Sequence, residues 1–185
     1  MTSTAPVSLT TTTTAMQQLG LNREQVDRLV RVGLLPVVGN HGRTRLLDPV
    51  AVGSLARRPQ LPVRNQGRLA ALAVHLGPLM LDPGGAQNLR HVSGWDTRAP
   101  VPSSAWEAWW GTGAAIADAV VGLPLLPSVS GFVVDVREVS GWTGHPSDAG
   151  YVRFHTRPCD ATTQARYAHS RFRAEAGTVW QRLYV

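Results

Sequence analysis

The feature that most constrains this chain is a helix stop followed at once by a helix start, in the stretch LGLNREQ. Residues 12–19 have the pattern of a short helix, and Gly20 is expected to end it. Asn22 is a favourable N-cap for a second helix over residues 22–32. The sequence therefore predicts two short helices separated by a turn of only a few residues.

Both predicted helices are amphipathic. The first has apolar residues on one face, at Ala15, Met16 and Leu19. The second has an apolar side formed by Val26, Leu29, Val30 and Gly33, and a charged side formed by Glu24, Asp27, Arg28 and Arg31. The apolar sides are expected to pack together in a small core, so the charged side of the second helix is left in solvent.

Two short strands and a third helix are expected to follow. Residues 34–38 and 43–47 can pair around the turn-forming tetrad 39–42. Asp48 before Pro49 has the pattern of an N-cap with proline at the first helical position, which opens a helix to about residue 57.

Charge divides the chain unequally. Residues 1–68 hold nine arginines against Glu24, Asp27 and Asp48, a balance of +6 that equals the formal net charge of the whole chain. The remainder is therefore neutral. A basic first third beside a neutral remainder is typical of a nucleic-acid-binding module joined to a different kind of domain.

Helix, turn, helix, strand pair and helix is the order of elements in a winged helix-turn-helix. Such a module reads bases in the major groove with the N-terminal part of its second helix, and its wing of residues 39–45 contacts phosphates or the minor groove. The candidate DNA-binding residues are Thr12, Asn22, Arg23, Glu24, Gln25, Asp27, Arg28, Arg31, His41, Arg43 and Arg45. The alternative is that Val26, Leu29 and Val30 form only the core face of a small helical domain.

Residues 8–58 resemble the MerR/excisionase-type winged helix-turn-helix family. The stretches LTTTTTAMQQLGLNREQVDRLVRVGLLP and GRTRLLDPVAVGSL carry the resemblance. Two departures stand out. Asp27 and Leu29 occupy positions where classical members have an arginine and an aromatic residue, and Gly77-Pro78 interrupts the chain where those members continue a long dimerisation helix. The resemblance implies a DNA-binding head and leaves the rest of the chain unassigned.

The remaining chain is expected to be a mixed domain, so that the whole protein is α+β. Residues 1–7 are expected to be a disordered tail and residues 59–65 a linker. The domain of residues 66–185 is then expected to serve dimerisation or effector sensing. Its helices are predicted at 66–76, 105–121 and 160–173, and a small antiparallel sheet is predicted from strands 132–139 and 151–156, joined by the loop 143–150.

The tryptophans all lie in this second domain, at positions 95, 106, 109, 110, 142 and 180. Concentrated tryptophan can build a core, a subunit interface or an aromatic ligand pocket. Core is the default interpretation. An interface is the next, because a winged helix commonly reads two half-sites as a symmetric dimer.

Catalytic and metal-binding patterns are weak. The spacing of His145, His155, Cys159 and His169 matches no common zinc pattern. The carboxylates Asp135, Glu138 and Asp148 are explained as solvated residues of strands and turns. We therefore expect no catalytic site, no metal and no cofactor, and the protein is not expected to be an enzyme.

The function predicted from the sequence is sequence-specific binding of double-stranded DNA, most simply by a transcriptional regulator that forms a homodimer and responds to an unknown small-molecule or protein effector. The alternatives are an excisionase-like recombination factor and an enzymatic domain that carries a DNA-binding head. The first residues lack the pattern of a signal peptide, and no apolar run approaches the ~20 residues of a membrane span, so a cytoplasmic, nucleoid-associated location is expected.

Overall fold

A computed structural model describes residues 9–62, 64–81, 92–107, 110–145, 148–175 and 177–184. The tail predicted at residues 1–7 lies outside this part of the chain. The fold is α+β, and it divides into two compact units, with the boundary between Arg58 and Pro59. We call them the N-terminal unit and the C-terminal unit.

The N-terminal unit alternates short strands and helices. Its elements are β1 (Thr10–Thr11), α1 (Thr12–Leu19), α2 (Arg23–Arg31), β2 (Val37–His41), β3 (Thr44–Leu47) and α3 (Pro49–Ala56). The strands form an antiparallel sheet in the order β1-β3-β2. Helix α1 packs against α2, α3 and β3. The buried side chains between these elements are Ala15, Leu19, Val26, Leu29, Val32, Leu35, Leu47, Val52 and Leu55.

The predicted ends of the three helices are confirmed by their caps. Gly20 ends α1 in the left-handed conformation, with φ of 67°. The Asn22 side chain accepts a hydrogen bond from the Gln25 amide at 2.9 Å, and the Gln25 side chain accepts one from the Asn22 amide at 3.0 Å. This capping box uses two amides that the first turn of α2 leaves without helical partners. Asp48 caps α3, which begins at Pro49.

Replacing Asn22 with alanine is expected to destabilise α2 by about 1 kcal/mol, because the Gln25 amide loses its acceptor. Amide hydrogen exchange of α2 should accelerate accordingly, by about fivefold. Gln17→Ala, at an exposed position within α1, is the control and should leave the exchange of α2 unchanged.

The strand pair differs from the prediction in two ways. The first strand begins at Val37 and not at Leu34, because the chain after α2 continues as a turn in which the Leu34 amide donates to the Leu29 carbonyl at 3.0 Å. The turn between the strands is Gly42-Arg43, with Gly42 at φ 61°, and not the tetrad 39–42. Strand β1 was not predicted. It lies in the threonine-rich stretch before α1 and pairs with β3.

The C-terminal unit is built around a six-stranded sheet. Its elements are β4 (Arg64–His75), β5 (Met80–Leu81), β6 (Val92–Ser93), α4 (Ser104–Glu107), α5 (Ala114–Ala119), β7 (Pro124–Val129), β8 (Phe132–Val133), β9 (Arg137–His145), β10 (Asp148–Pro158), α6 (Ala161–Tyr167) and β11 (Trp180–Tyr184). The sheet order is β10-β9-β7-β4-β11, and β8 pairs with β7. The pair β4–β7 is parallel and the others are antiparallel, so the prediction of a small antiparallel sheet is corrected to a larger mixed one.

The prediction of a helix at residues 66–76 is wrong, because this segment belongs to strand β4. Its run of alanine and leucine favours a helix by intrinsic propensity. In the structure Ala71 and Ala73 face one side of the sheet and belong to the core with Phe172, while their neighbours Leu72 and Val74 are equally buried. A central strand that is buried on both faces shows no polar alternation, so its sequence lacks the period-two signal of a strand.

The linker predicted at residues 59–65 is not a free connection. The Leu61 amide donates to the Arg171 carbonyl at 2.7 Å, and the Arg171 amide donates to the Pro59 carbonyl at 2.9 Å. The last two residues of the segment already belong to β4. Residues 59–61 therefore form part of the C-terminal unit.

The remaining predicted elements of this unit have shorter or shifted bounds. The helix expected at 105–121 is divided into α4 and α5, because Trp110 instead pairs with Val152 through backbone hydrogen bonds of 2.9 and 3.0 Å. The strand expected at 132–139 is interrupted between β8 and β9, where the Asp135 side chain accepts from the Val136 amide at 2.8 Å. Helix α6 begins after Asp160 as predicted but ends at Tyr167 rather than at residue 173. The two hairpin strands β9 and β10 extend into the predicted loop 143–150.

Tryptophans contribute to the core of the C-terminal unit, as predicted. Trp106 and Trp110 are each 4% exposed, and the Trp110 indole donates to the Trp106 carbonyl at 2.6 Å. Trp95 contacts the Trp106 ring at 5.5 Å between centroids. At the surface, the Trp142 indole donates to Asp118 at 2.8 Å.

Candidate nucleic-acid interface

The N-terminal unit contains a polar cleft of about 240 Å³ where α1, α2 and the β2–β3 turn meet. We call it the cationic cleft. Its lining residues are Thr12, Thr13, Met16, Arg23, Asp27, Arg43, Thr44 and Arg45. Three arginines and one aspartate give these residues a net charge of +2.

Local geometry explains why distant residues meet here. Arg23 is the first residue of α2, directly after its cap. Arg43 occupies the second position of the tight turn between β2 and β3, and Arg45 follows on β3. The start of α1 lies beside β3 because β1, directly before it, pairs with that strand, and α2 is linked to β3 through Asp27 and Arg45. Residues more than 20 positions apart therefore share one surface.

Two of the arginines are free to bind an anion. Arg23 and Arg43 are exposed and form no ion pair with any residue that the structure describes. The cleft therefore presents two unneutralised guanidinium groups, and Thr12 and Thr13 also line it. Guanidinium and hydroxyl donors are the groups that bind phosphate oxygens in protein–DNA complexes.

The third arginine is paired inside the cleft. Arg45 donates from Nη1 to Oδ1 of Asp27 at 3.0 Å, which links β3 to α2. The side chains are 51% and 28% exposed, respectively. Asp27, which the sequence placed on the charged side of α2, is thus neutralised by a residue of β3.

No protein family, curated protein or solved structure matches the chain. The function of the cleft is therefore inferred from the charges and hydrogen-bonding groups of its lining residues.

The other candidate residues from the sequence lie outside the cleft. Glu24 and Arg28 form an ion pair of 2.9 Å within α2, with side chains 76% and 36% exposed. Asn22 and Gln25 are engaged with each other in the capping box. Arg31, at the C-terminal end of α2, and His41, at the end of β2, are exposed but do not line the cleft.

Three cleft residues were not among the candidates. Thr13, Met16 and Thr44 line the cleft beside the predicted Thr12, Arg23 and Arg43. The threonine run at the start of α1 was the available signal for Thr13, since it occupies the same first turn as Thr12. Nothing in the local sequence distinguishes Thr44, because its position depends on the register of β2 and β3.

Among the described residues of the C-terminal unit, Glu107 is buried at 8% exposure and contacts Thr156 and Arg153, at 2.6 and 3.9 Å. Within the described ranges, no three side chains among His, Cys, Asp and Glu come together as a possible metal site.

Burial raises the pKa of the Cys159 thiol, and the nearby carboxylates of Glu138 and Asp160 raise it further. The thiolate is therefore disfavoured at neutral pH. No described helix has the length and apolar character needed to cross a membrane.

Proposed function

We propose that the N-terminal unit is a winged helix-turn-helix that binds double-stranded DNA, and that the protein is a sequence-specific transcriptional regulator. Helix α2 enters the major groove, and the turn between β2 and β3 is the wing. The observation that carries the proposal is the cationic cleft, in which Arg23 of α2 and Arg43 of the turn are both exposed and unneutralised.

The dimensions of α2 suit this role. An α-helix with its side chains is about 10–12 Å in diameter, which matches the major groove of about 12 Å. Its buried side, with Val26 and Leu29, holds it to the core, while its outer side offers Glu24 and Arg28 to base edges. The exposed Glu24–Arg28 pair costs little to separate, because exposed ion pairs contribute about 0.2–1 kcal/mol.

The C-terminal unit has a different role in this proposal. It carries eleven arginines against nine acids, a net charge of +2 over 127 residues, compared with +4 over the 58 residues of the N-terminal unit. In this proposal it supplies dimerisation or the response to an effector. A homodimer would present two heads to two half-sites, as symmetric regulators do.

A salt titration of the full-length protein tests the proposed function. Binding to a fluorescein-labelled duplex, followed by anisotropy, should weaken steadily as salt increases, because each phosphate contact contributes about −0.9 to the slope of log affinity against log salt. Failure to bind any duplex at low salt would exclude DNA binding. Selection of bound sequences from a random duplex library then tests sequence specificity.

Arg28→Ala is expected to weaken binding to the selected sequence by about 1–3 kcal/mol if Arg28 reads a base, with a much smaller effect on unrelated duplexes. The difference between the two duplexes in anisotropy titrations measures base reading. Arg182→Ala, which removes an exposed arginine from the C-terminal unit, is the control and should change neither affinity. An equal loss on both duplexes would assign Arg28 to phosphate binding instead.

A further inference from the structure

The Asp27–Arg45 pair differs from the other ion pair of α2 in what it connects. Glu24 and Arg28 belong to one helix, are separated by a single turn, and lie outside the cleft. Asp27 and Arg45 belong to different elements and both line the cleft, at 3.0 Å from each other. The Asp27–Arg45 pair therefore determines the position of the Arg45 guanidinium group within the cleft.

Asp27 is unfavourable for phosphate binding in itself. It is the one acid among the described residues that line the cleft, and it lies beside the three arginines there. A carboxylate near a phosphate repels it and also occupies a cation that a phosphate would otherwise contact. A cleft with a neutral residue at this position would bind DNA phosphates more strongly.

Sequence-independent affinity depends on the number of phosphates that the protein neutralises. With Arg45 held by Asp27, Arg23 and Arg43 remain available, since neither is paired within the described chain. The pair thus removes one cation from the set that contacts phosphates and keeps it in a defined position between α2 and β3.

We propose that Asp27 is a positioning residue that restrains Arg45 within the cationic cleft and so limits the sequence-independent affinity of the head for DNA. The proposal rests on the proposed function of the N-terminal unit. It assigns to Asp27 a role in adjusting phosphate binding and assigns the phosphate contacts of the cleft to Arg23 and Arg43.

The test uses the full-length protein and a labelled duplex of about 24 base pairs of arbitrary sequence, long enough for two turns of DNA. Asp27→Asn should release Arg45 to a phosphate. The salt slope should become steeper by about 0.9, and affinity at about 0.1 M salt should rise about eightfold. Asp27→Ala should act in the same direction, which guards against a residual hydrogen bond from asparagine.

Glu175→Gln is the control for net charge. It removes one negative charge from an exposed position of the C-terminal unit, away from the cleft residues. Its salt slope should equal that of the wild type. A gain equal to that of Asp27→Asn would attribute the effect to net charge alone and would overturn the proposal.

Two arginine variants test whether Arg45 is the restrained cation. Arg45→Gln removes no phosphate contact, so the salt slope should fall only as far as the unpaired Asp27 repels phosphate, whereas Arg43→Gln, with the same loss of charge from the same cleft, should reduce the slope by about 0.9. Adding Arg45→Gln to Asp27→Asn should return the slope to the wild-type value. Equal loss of slope in the two single arginine variants would show that Arg45 already contacts phosphate and would overturn the proposal.

The two possible failures are distinguishable. If the wild type does not bind the duplex at low salt, the proposed function fails and this inference fails with it. If the wild type binds but Asp27→Asn leaves affinity and slope unchanged, only the inference fails. Far-ultraviolet circular dichroism of each variant checks that α2 remains folded.

Discussion

The double variant Arg23→Gln, Arg43→Gln is expected to lose about 60-fold in affinity for any duplex at about 0.1 M salt, and its salt slope should decrease by about 1.8. Both residues line the cationic cleft, both are exposed, and neither is neutralised by a described acid. Each is therefore expected to neutralise one phosphate. Glutamine keeps a polar side chain of similar length, so the change isolates the charge.

The control for this double variant is Arg166→Gln, Arg182→Gln. Both controls are exposed arginines of the C-terminal unit and stack on tyrosine rings, at 5.2 Å and 5.7 Å from the ring centroids. They remove the same total charge from the protein. Anisotropy titrations over a range of salt should give a wild-type slope for the control pair. An equal loss in both pairs would mean that overall charge, and not the cleft, governs binding.

Gly131→Ala is expected to destabilise the C-terminal unit by about 2–5 kcal/mol, the sum of a left-handed conformation and a steric clash. Gly131 has φ of 84° in the tight turn between β7 and β8. A Cβ atom there would lie 2.3 Å from the carbonyl oxygen of Phe172. That backbone cannot withdraw easily, because the Phe172 amide donates to the Gly131 carbonyl at 2.9 Å.

Gly122→Ala separates the two contributions. Gly122 has nearly the same conformation, with φ of 79°, but nothing lies within 4 Å of a Cβ placed there. It should cost only the conformational term of about 1–2 kcal/mol. Urea unfolding followed by tryptophan fluorescence gives both values, and every tryptophan lies in the C-terminal unit. Equal destabilisation by the two variants would show that the Phe172 contact is relieved by a small shift.

Local signals predicted the three helices of the N-terminal unit well. Gly20, Asn22 and Asp48 act within a few residues of their own positions, through a left-handed conformation or a side-chain cap. Because these interactions need no distant partner, the pattern of residue types was sufficient to place the helix ends.

The wrong helix predictions share one cause, which is pairing between segments that are far apart in the sequence. Strand β4 has the composition of a helix, and its identity depends on β7 and β11, which pair with it from positions about 50 and 110 residues later in the chain. Trp110 likewise leaves the predicted helix because Val152 offers it backbone hydrogen bonds. The free energy gained from these strand pairings exceeds the small differences in intrinsic helix propensity between residues.

In the candidate site, too, the sequence identified individual residues, whereas only the fold revealed a contact between two of them. The sequence named Arg23, Asp27, Arg43 and Arg45 as DNA-binding candidates from their types and spacing. It identified Asp27 also as a departure from the pattern of the family that residues 8–58 resemble. The contact with Arg45, 18 positions later, became visible only in the fold, because it depends on the register of β3 beside α2.

By itself, the sequence determined the helix boundaries of the first 58 residues, the concentration of positive charge there and the α+β class, since each follows from local spacing or composition. The tertiary structure alone decided that residues 64–75 form a strand, that the sheet is mixed, and that Arg45 is paired while Arg23 and Arg43 are not. The physical reason is that burial and ion pairing depend on residues brought together by folding, which no short window of sequence contains.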